Sequence, residues 1–170
     1  MRTLIAILVS TMLVACGEHE TSSSTEAEPP PTSLAVDLRS HDFPFTVELG
    51  DPAILGVDSP SVRWNEEVGV LEVKAGDHFS IVLSEEPGDV ASVKATLGRD
   101  LLATNEIITD APDRLVWRAQ FPDESIVFVH FYRLVDVDGR SFVVRDDGQG
   151  RFTEADIARM ADAVRTQQPV

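Results

Sequence analysis

Short runs of β-branched and aromatic residues, each closed by turn residues, constrain the possible folds of this chain more than any other feature. Several of the runs alternate between apolar and polar side chains, a period that is typical of strands with one buried face. The runs cover residues 43–49, 61–64, 68–75, 78–83, 105–109, 114–119, 125–137 and 140–145. We therefore expect a protein built mainly on β-sheet.

The turns between these runs predict antiparallel pairing. Residues 75–77 (AGD) form a compact turn between two runs, and residues 138–139 (DG) are a strong signal for a two-residue hairpin. The run at residues 125–137 is apolar on both faces as far as Phe131. We therefore expect this run to lie inside the sheet rather than at its edge.

Two segments have helical periodicity instead. Asp89 is a suitable N-cap for the first segment, and Thr153 is suitable for the second. The apolar positions at helical spacing are Val90, Val93, Leu97 and Leu101 in the first segment, and Ile157, Met160, Ala161 and Val164 in the second. The sequence thus predicts the α+β class: a mostly antiparallel sheet, one helix inserted between its strands, and a C-terminal amphipathic helix packed on it.

This layout is similar to that of the PsbP/Mog1-like group of small α+β domains. The matching features are residues 43–49 (FPFTVEL) opening the sheet, a helix that interrupts the strands, and a terminal amphipathic helix after residues 142–147 (FVVRDD). The resemblance implies a non-catalytic accessory or binding role. It carries no functional residue over to this chain.

The N-terminus has the features of a signal peptide. Arg2 precedes an apolar run at residues 4–14, which is about half of the ~20 residues that a membrane-spanning helix needs. Residues 13–16 (LVAC) resemble the lipobox of bacterial lipoproteins, in which a signal peptidase cleaves before a cysteine that carries a diacylglyceryl group. The resemblance implies a signal peptide at residues 1–15 and lipidation of Cys16.

The lipobox also implies a location and a membrane partner. A lipid anchor on Cys16 would hold the protein in the bacterial cell envelope, and Gly17 after it resembles the signal that sorts lipoproteins to the periplasmic face of the outer membrane. Residues 16–33 lack periodicity and are rich in Ser, Thr, Glu and Pro, which predicts a disordered tether. Residues 34–170 are then expected to form a single domain.

Net charge and cysteine content exclude several functions. The formal net charge is -15, so nucleic acid should be repelled by the protein as a whole. Cys16 is the only cysteine, and once lipidated it leaves no thiol for a disulfide, a nucleophile or a metal site. Besides the membrane, we expect the partner to be an envelope protein or a small ligand.

Residues 145–156 (RDDGQGRFTEAD) look at first like a calcium loop. With Gly150 at the sixth position of an EF-hand loop, Asp147 and Asp156 take the third and twelfth positions. Arg145 then occupies the first position, where a carboxylate is needed, and the preceding segment is strand-like rather than helical. The two aspartates are therefore weak calcium candidates, and we expect no metal or other cofactor.

A structural role explains more residues of the same segment. With Thr153 as the N-cap, Asp156 stands at the N3 position of a capping box, and Phe152 and Ile157 stand where a hydrophobic staple places its two apolar residues. Residues 145–156 are thus predicted to join the sheet to the last helix.

The sequence contains no motif that assigns a catalytic residue. It lacks the patterns G-x-S-x-G and H-E-x-x-H and a Walker-type glycine loop. The four histidines are scattered at His19, His41, His78 and His130, and we expect His130 to be packed and hydrogen-bonded rather than a ligand.

The leading expectation is a non-enzymatic accessory or binding domain. One alternative is a calcium-dependent binding module that uses residues 145–156. The other is an envelope hydrolase whose residues converge only in the fold, which would need a concave site that gathers His130 or His78 with acids.

Overall fold

The computed structural model describes residues 33–122 and 125–166. Cys16, His19 and the predicted signal peptide lie outside these ranges, as does the predicted tether up to residue 32. Within the described ranges, no helix is long and apolar enough to cross a membrane.

The described chain forms ten strands and three α-helices, and one 3₁₀ helix at Arg39–His41 lies between the first two strands. In chain order they are β1 (Leu34–Asp37), β2 (Thr46–Gly50), α1 (Pro52–Leu55), β3 (Ser61–Asn65), β4 (Val70–Lys74), β5 (Ser80–Glu85), α2 (Val90–Leu97), β6 (Thr104–Ala111), β7 (Arg114–Gln120), β8 (Val127–Val137), β9 (Arg140–Asp146), α3 (Glu154–Asp162) and β10 (Val164–Arg165). Seven of the strands form one sheet in the order β3-β4-β5-β9-β8-β7-β6. All of its neighbours are antiparallel, so the predicted α+β class is confirmed.

Both predicted hairpins are present. β4 pairs with β5 across residues 75–77, and β8 pairs with β9 across Asp138 and Gly139. Asp138 has φ 53° and Gly139 has φ 77°, the positive angles that a two-residue hairpin turn of this type requires. β8 lies between β7 and β9, which confirms its predicted place inside the sheet.

A second, three-stranded sheet has the order β1-β2-β10. Residues 43–49 were expected to open the main sheet, but they contribute β2 to this small sheet instead. Its partner β10 comes from the far end of the chain, where Val164 lies opposite Val47. A pairing between segments so distant along the chain leaves no local signal, so the expectation from the sequence was wrong here.

Large apolar side chains from both sheets and α3 form one core. Phe45, Phe131, Phe142, Ile157 and Met160 are all fully buried within it. The rings of Phe45 and Phe142 meet edge to face with centroids 5.2 Å apart. We term the face of the large sheet that bears Phe131 and Phe142 the core face. The opposite face packs against α2, and we term it the α2 face.

α2 begins where the sequence predicts. Its N-cap is Asp89, whose side chain accepts a hydrogen bond from the Ala91 N–H at 2.9 Å. The helix ends at Leu97, so the prediction that Leu101 lies on its apolar face is wrong. After the helix the Asp100 carboxylate accepts from the Leu102 N–H at 2.8 Å, and this turn directs the chain away from the helix axis.

α3 begins with the predicted capping box. The Thr153 N–H donates to Asp156 Oδ2 at 3.0 Å, and the Asp156 N–H donates to Thr153 Oγ1 at 3.2 Å. The predicted apolar face is buried at Ile157, Met160 and Ala161. Val164 lies beyond the helix in β10, so its predicted helical position is wrong, because pairing with β2 replaces the next helical turn.

Candidate functional site

A cleft lies on the α2 face of the large sheet. It has a volume of about 540 Å³ and lies between α2, the β5–α2 connection and strands β7, β8 and β9. Its lining residues are Glu86, Val93, Trp117, His130, Phe131, Tyr132, Val143, Arg145, Asp146 and Gly148. We term it the His130 cleft.

Strand register brings the polar and aromatic lining residues together. Trp117 of β7 lies directly opposite His130 of β8, and Tyr132 of β8 lies opposite Arg145 of β9. Side chains two residues apart on a strand share a face, so His130 and Tyr132 both point to the α2 face. The three strands thus place four functional side chains on one surface patch.

His130 is oriented by a buried carboxylate. Its Nδ1 lies 2.8 Å from Oδ2 of Asp146, whose side chain is only 4% exposed. The other oxygen, Oδ1, accepts from the Phe131 N–H at 2.8 Å. Because the carboxylate accepts hydrogen bonds, it favours the tautomer with the proton on Nδ1. Among the residues that the structure describes, His130 Nε2 has no hydrogen-bond partner.

Aromatic rings pack on both sides of the imidazole. The Trp117 ring lies 5.5 Å from the His130 ring, and the Phe128 ring stacks at 6.4 Å with an interplanar angle of 5°. This packing matches the sequence expectation of a packed, hydrogen-bonded His130. The same side chain remains 19% exposed and lines the cleft. His130 is therefore packed against its neighbours and still accessible to a ligand in the cleft.

Arg145 supplies a cation that the surrounding protein leaves available. Its side chain is exposed, and it makes no hydrogen bond or ion pair with any residue in the described ranges. Arg140 on the same strand behaves differently, because its guanidinium binds the carboxylates of Glu85 and Asp42. A guanidinium without a carboxylate partner can bind an anion without first breaking an internal ion pair.

Tyr132 adds a phenol that stays protonated. Burial is the largest influence and raises the pKa of its hydroxyl; together with the charges of Glu86 and Asp89 it outweighs a hydrogen bond with the Asp89 backbone and the charge of Arg145, which lower the pKa. The neutral hydroxyl can both donate and accept a hydrogen bond. Together with His130 and Arg145 it gives the cleft three different hydrogen-bonding groups.

Gly88 sets the depth of the cleft. A Cβ added at this position would lie 2.2 Å from Leu134 Cδ2 and 2.3 Å from the Tyr132 hydroxyl oxygen. Only glycine therefore lets the β5–α2 connection approach the sheet this closely. The close approach places Glu86 and the start of α2 over the strands and so forms one wall of the cleft.

The two calcium candidates have other partners. Asp147 Oδ1 accepts from the Gln149 N–H at 3.1 Å, in a turn between β9 and α3. Asp156 is buried in the capping box, and its carboxylate also contacts His78 at 3.3 Å and pairs with Arg159. Within residues 33–122 and 125–166, no group of three or more His, Cys, Asp or Glu side chains is arranged to hold a metal ion.

The pKa of Asp156 reflects these contacts. Burial alone would raise it, but hydrogen bonds from Thr153 and His78 and the charge of Arg159 outweigh burial and hold the pKa below its usual value. The carboxylate is therefore ionised in its structural role.

The sequence reasoning did not identify Trp117, Tyr132, Arg145 or Asp146 as members of a site. The sequence does contain a signal for the pairing of Tyr132 with Arg145, because a two-residue turn at residues 138–139 places these two residues opposite each other. The position of Trp117 depends on the β7–β8 pairing, and the loop between those strands gave no comparable turn signal.

Comparisons with protein-family models, with curated proteins and with solved structures find no match. The function of the His130 cleft therefore has to be inferred from its own residues.

Proposed function

We propose that this protein is a lipid-anchored, non-enzymatic binding protein of the bacterial cell envelope, and that its ligand is a small organic anion. The observation that carries the ligand proposal is Arg145, an arginine in a concave aromatic site with no partner in the described part of the chain.

The chemistry of the lining supports an anion attached to a ring or another apolar group. The Arg145 guanidinium suits a carboxylate or phosphate, which it can bind with two parallel hydrogen bonds. Trp117 and Tyr132 provide apolar ring surface, and the free Nε2 of His130 provides one further polar contact. The volume of about 540 Å³ lies in the range of roughly 300–1,000 Å³ that is usual for small-molecule sites.

The ligand proposal is tested by binding of two simple probes, benzoate and phenyl phosphate, measured by isothermal titration calorimetry. We expect Arg145→Gln to weaken binding by about 10-fold or more, since loss of a charge-assisted hydrogen bond costs about 1.5–3 kcal/mol. Arg151→Gln is the matched control, because Arg151 is an exposed arginine that lines a different cavity. Equal affinities of the Arg145→Gln variant and the unaltered protein would refute this role of the cleft.

The envelope location is supported by the lipobox resemblance of residues 13–16 and by Cys16 as the single cysteine. Two or more acyl chains give stable membrane anchoring, whereas one chain gives only marginal binding. We expect Cys16→Ser to move the protein from the membrane fraction to the soluble fraction of cells. If the Cys16→Ser variant stays with the membranes, the anchor proposal is wrong.

A second candidate function is hydrolysis of a small ester, because a buried carboxylate orients His130 as it would orient a general base. No Ser, Thr or Cys is among the described residues that line the cleft, so water would be the nucleophile. Hydrolysis of p-nitrophenyl acetate distinguishes the candidates. The binding proposal predicts no rate above background, while a rate that His130→Gln abolishes would favour the hydrolase.

A further inference from the structure

Five exposed apolar side chains cluster at one end of the large sheet. Leu101 and Leu102 are 95% and 74% exposed, and Phe121, Ile126 and Val127 are between 37% and 44% exposed. Thr104 of β6 lies opposite Gln120 of β7, which in turn lies opposite Val127 of β8. The residues that adjoin these three strand ends are therefore neighbours in space. We term the five apolar side chains the apolar tip.

A hydrogen-bonded turn presents the two leucines to solvent. The Leu102 N–H donates to Asp100 Oδ1 at 2.8 Å, and the Asn105 amide donates to Asp100 Oδ2 and to the Leu97 carbonyl, each at 3.2 Å. The backbone on both sides of Leu101 is thus fixed by three bonds. Contiguous exposed apolar side chains on an ordered turn indicate an interaction surface.

The apolar tip lies at the end of the molecule where the N-terminal segment enters the domain. Strands β5, β6 and β8 begin at that end of the antiparallel sheet, and strands β7 and β9 end there. Leu34, the first residue of β1, lies opposite Gly50. Gly50 packs against the side chain of Arg159, which donates to the carbonyl of His78 at 3.3 Å, just before β5 begins.

The number of residues between Cys16 and the domain limits how far that end can lie from a lipid anchor. Residues 17–33 are 17 residues long, and if they form the disordered tether that their composition predicts, their end-to-end distance is ~20–25 Å. A lipid on Cys16 would therefore hold the apolar tip within reach of the bilayer surface. The anchor also raises the local concentration of the tip at that surface, so a weak apolar contact becomes effective.

We propose that the apolar tip inserts into the boundary between headgroups and acyl chains of the bilayer to which the protein is anchored. This inference rests on the proposed lipid anchor. Leucine and phenylalanine side chains are suited to this boundary. The acidic chain disfavours anionic lipid, so the partner surface is zwitterionic. Insertion would place the β3–β4 turn, which lies at the opposite end of the sheet, away from the bilayer.

The experiment uses the chain from residue 16 to residue 170, the expected mature form. Its single thiol, Cys16, is coupled to a maleimide lipid in phosphatidylcholine vesicles, so the result does not depend on lipidation in the cell. An environment-sensitive fluorescent amino acid is placed at position 102 in one preparation. In the control it replaces Val68, which is 66% exposed in the β3–β4 turn at the opposite end.

Insertion predicts a blue shift and quenching by brominated acyl chains for the probe at position 102, and neither for the probe at position 68. An emission at position 102 that coupling to vesicles leaves unchanged would overturn the proposal. The proposal would also be overturned if the uncoupled chain forms a dimer and the double substitution Leu101→Ser with Leu102→Ser dissociates that dimer. The apolar tip would then be a contact between two copies of the chain. Failure of the anchor itself is detected separately by fractionation of Cys16→Ser in cells.

Discussion

Asp146 and Asp156 are both buried carboxylates, yet their partners give them different roles. Asp146 binds one backbone N–H and orients His130 in the cleft. Asp156 caps α3 and pairs with Arg159. The lowered pKa of Asp156 means that its ionised form binds its neighbours more favourably in the folded than in the unfolded protein. That stabilisation is complete above the unfolded pKa of about 3.9 and is lost as the pH falls through the folded pKa.

We expect Asp156→Asn to lower the free energy of unfolding by about 1–3 kcal/mol at pH 7, because charge-assisted hydrogen bonds inside the capping box are lost. The difference between variant and unaltered protein should shrink as the pH falls through the lowered pKa of Asp156 and its carboxylate becomes protonated. Urea unfolding at several pH values measures this difference. Glu154→Gln is the control, because Glu154 is exposed in the same helical turn and should show a small effect at every pH. A pH-independent loss in Asp156→Asn would contradict the ionic role.

At the scale of elements, the connection from β5 to α2 determines whether the cleft exists. Gly88 packs against Leu134, Tyr132 and Val143, and Asp89 then caps α2, which belongs to the same wall of the cleft. The α2 face is therefore covered over part of its width, while α3 and the small sheet cover the core face. The core face thus carries the main hydrophobic core, and the α2 face carries the proposed binding cleft.

Gly88→Ala should destabilise the protein by about 1–3 kcal/mol, because its Cβ overlaps Leu134 and Tyr132. The matched substitution Gly98→Ala should be neutral or slightly stabilising. At the end of α2, its Cβ would lie 3.6 Å from the Lys94 carbonyl oxygen, and the backbone is already helical. Thermal unfolding of both variants tests the comparison, and equal melting temperatures would refute the close approach at Gly88.

At the scale of the whole molecule, stability is concentrated in the middle of the large sheet. β9 has neighbours on both sides, and Phe142, Val143 and Val144 are all buried in it. β3 and β6 are the edge strands of the large sheet. The proposed cleft borders this central strand through Val143 and Arg145, whereas the apolar tip lies at the β6 side of the sheet.

Amide hydrogen exchange should be slowest in the middle of the large sheet and faster at its edge strands. The amides of Phe142 to Val144 are expected to exchange most slowly, at rates set by global unfolding, because they are buried and paired on both sides. Amides of β3 and β6 should exchange faster through local opening. Exchange measured by mass spectrometry or NMR checks the order, and uniform protection across the sheet would contradict it.

Much of the fold could be predicted because its signals are local. The turn at residues 138–139, the N-cap at Asp89 and the capping box of Thr153 with Asp156 each depend on residues a few positions apart. The predictions for two residues were wrong. Val164 pairs with β2 instead of continuing the helix, and Leu101 lies beyond the end of α2. Local patterns cannot report such contacts.

The sequence alone determined the α+β class, both hairpins and the start of each long helix, because alternation, turn residues and caps act within a few residues. It also contains the resemblance to a lipobox at residues 13–16 on which the proposed location depends. The tertiary structure decided which side chains share a site. His130, Asp146, Trp117 and Arg145 come from three strands, and only their pairing across the sheet places an oriented imidazole, aromatic rings and a guanidinium in one cleft.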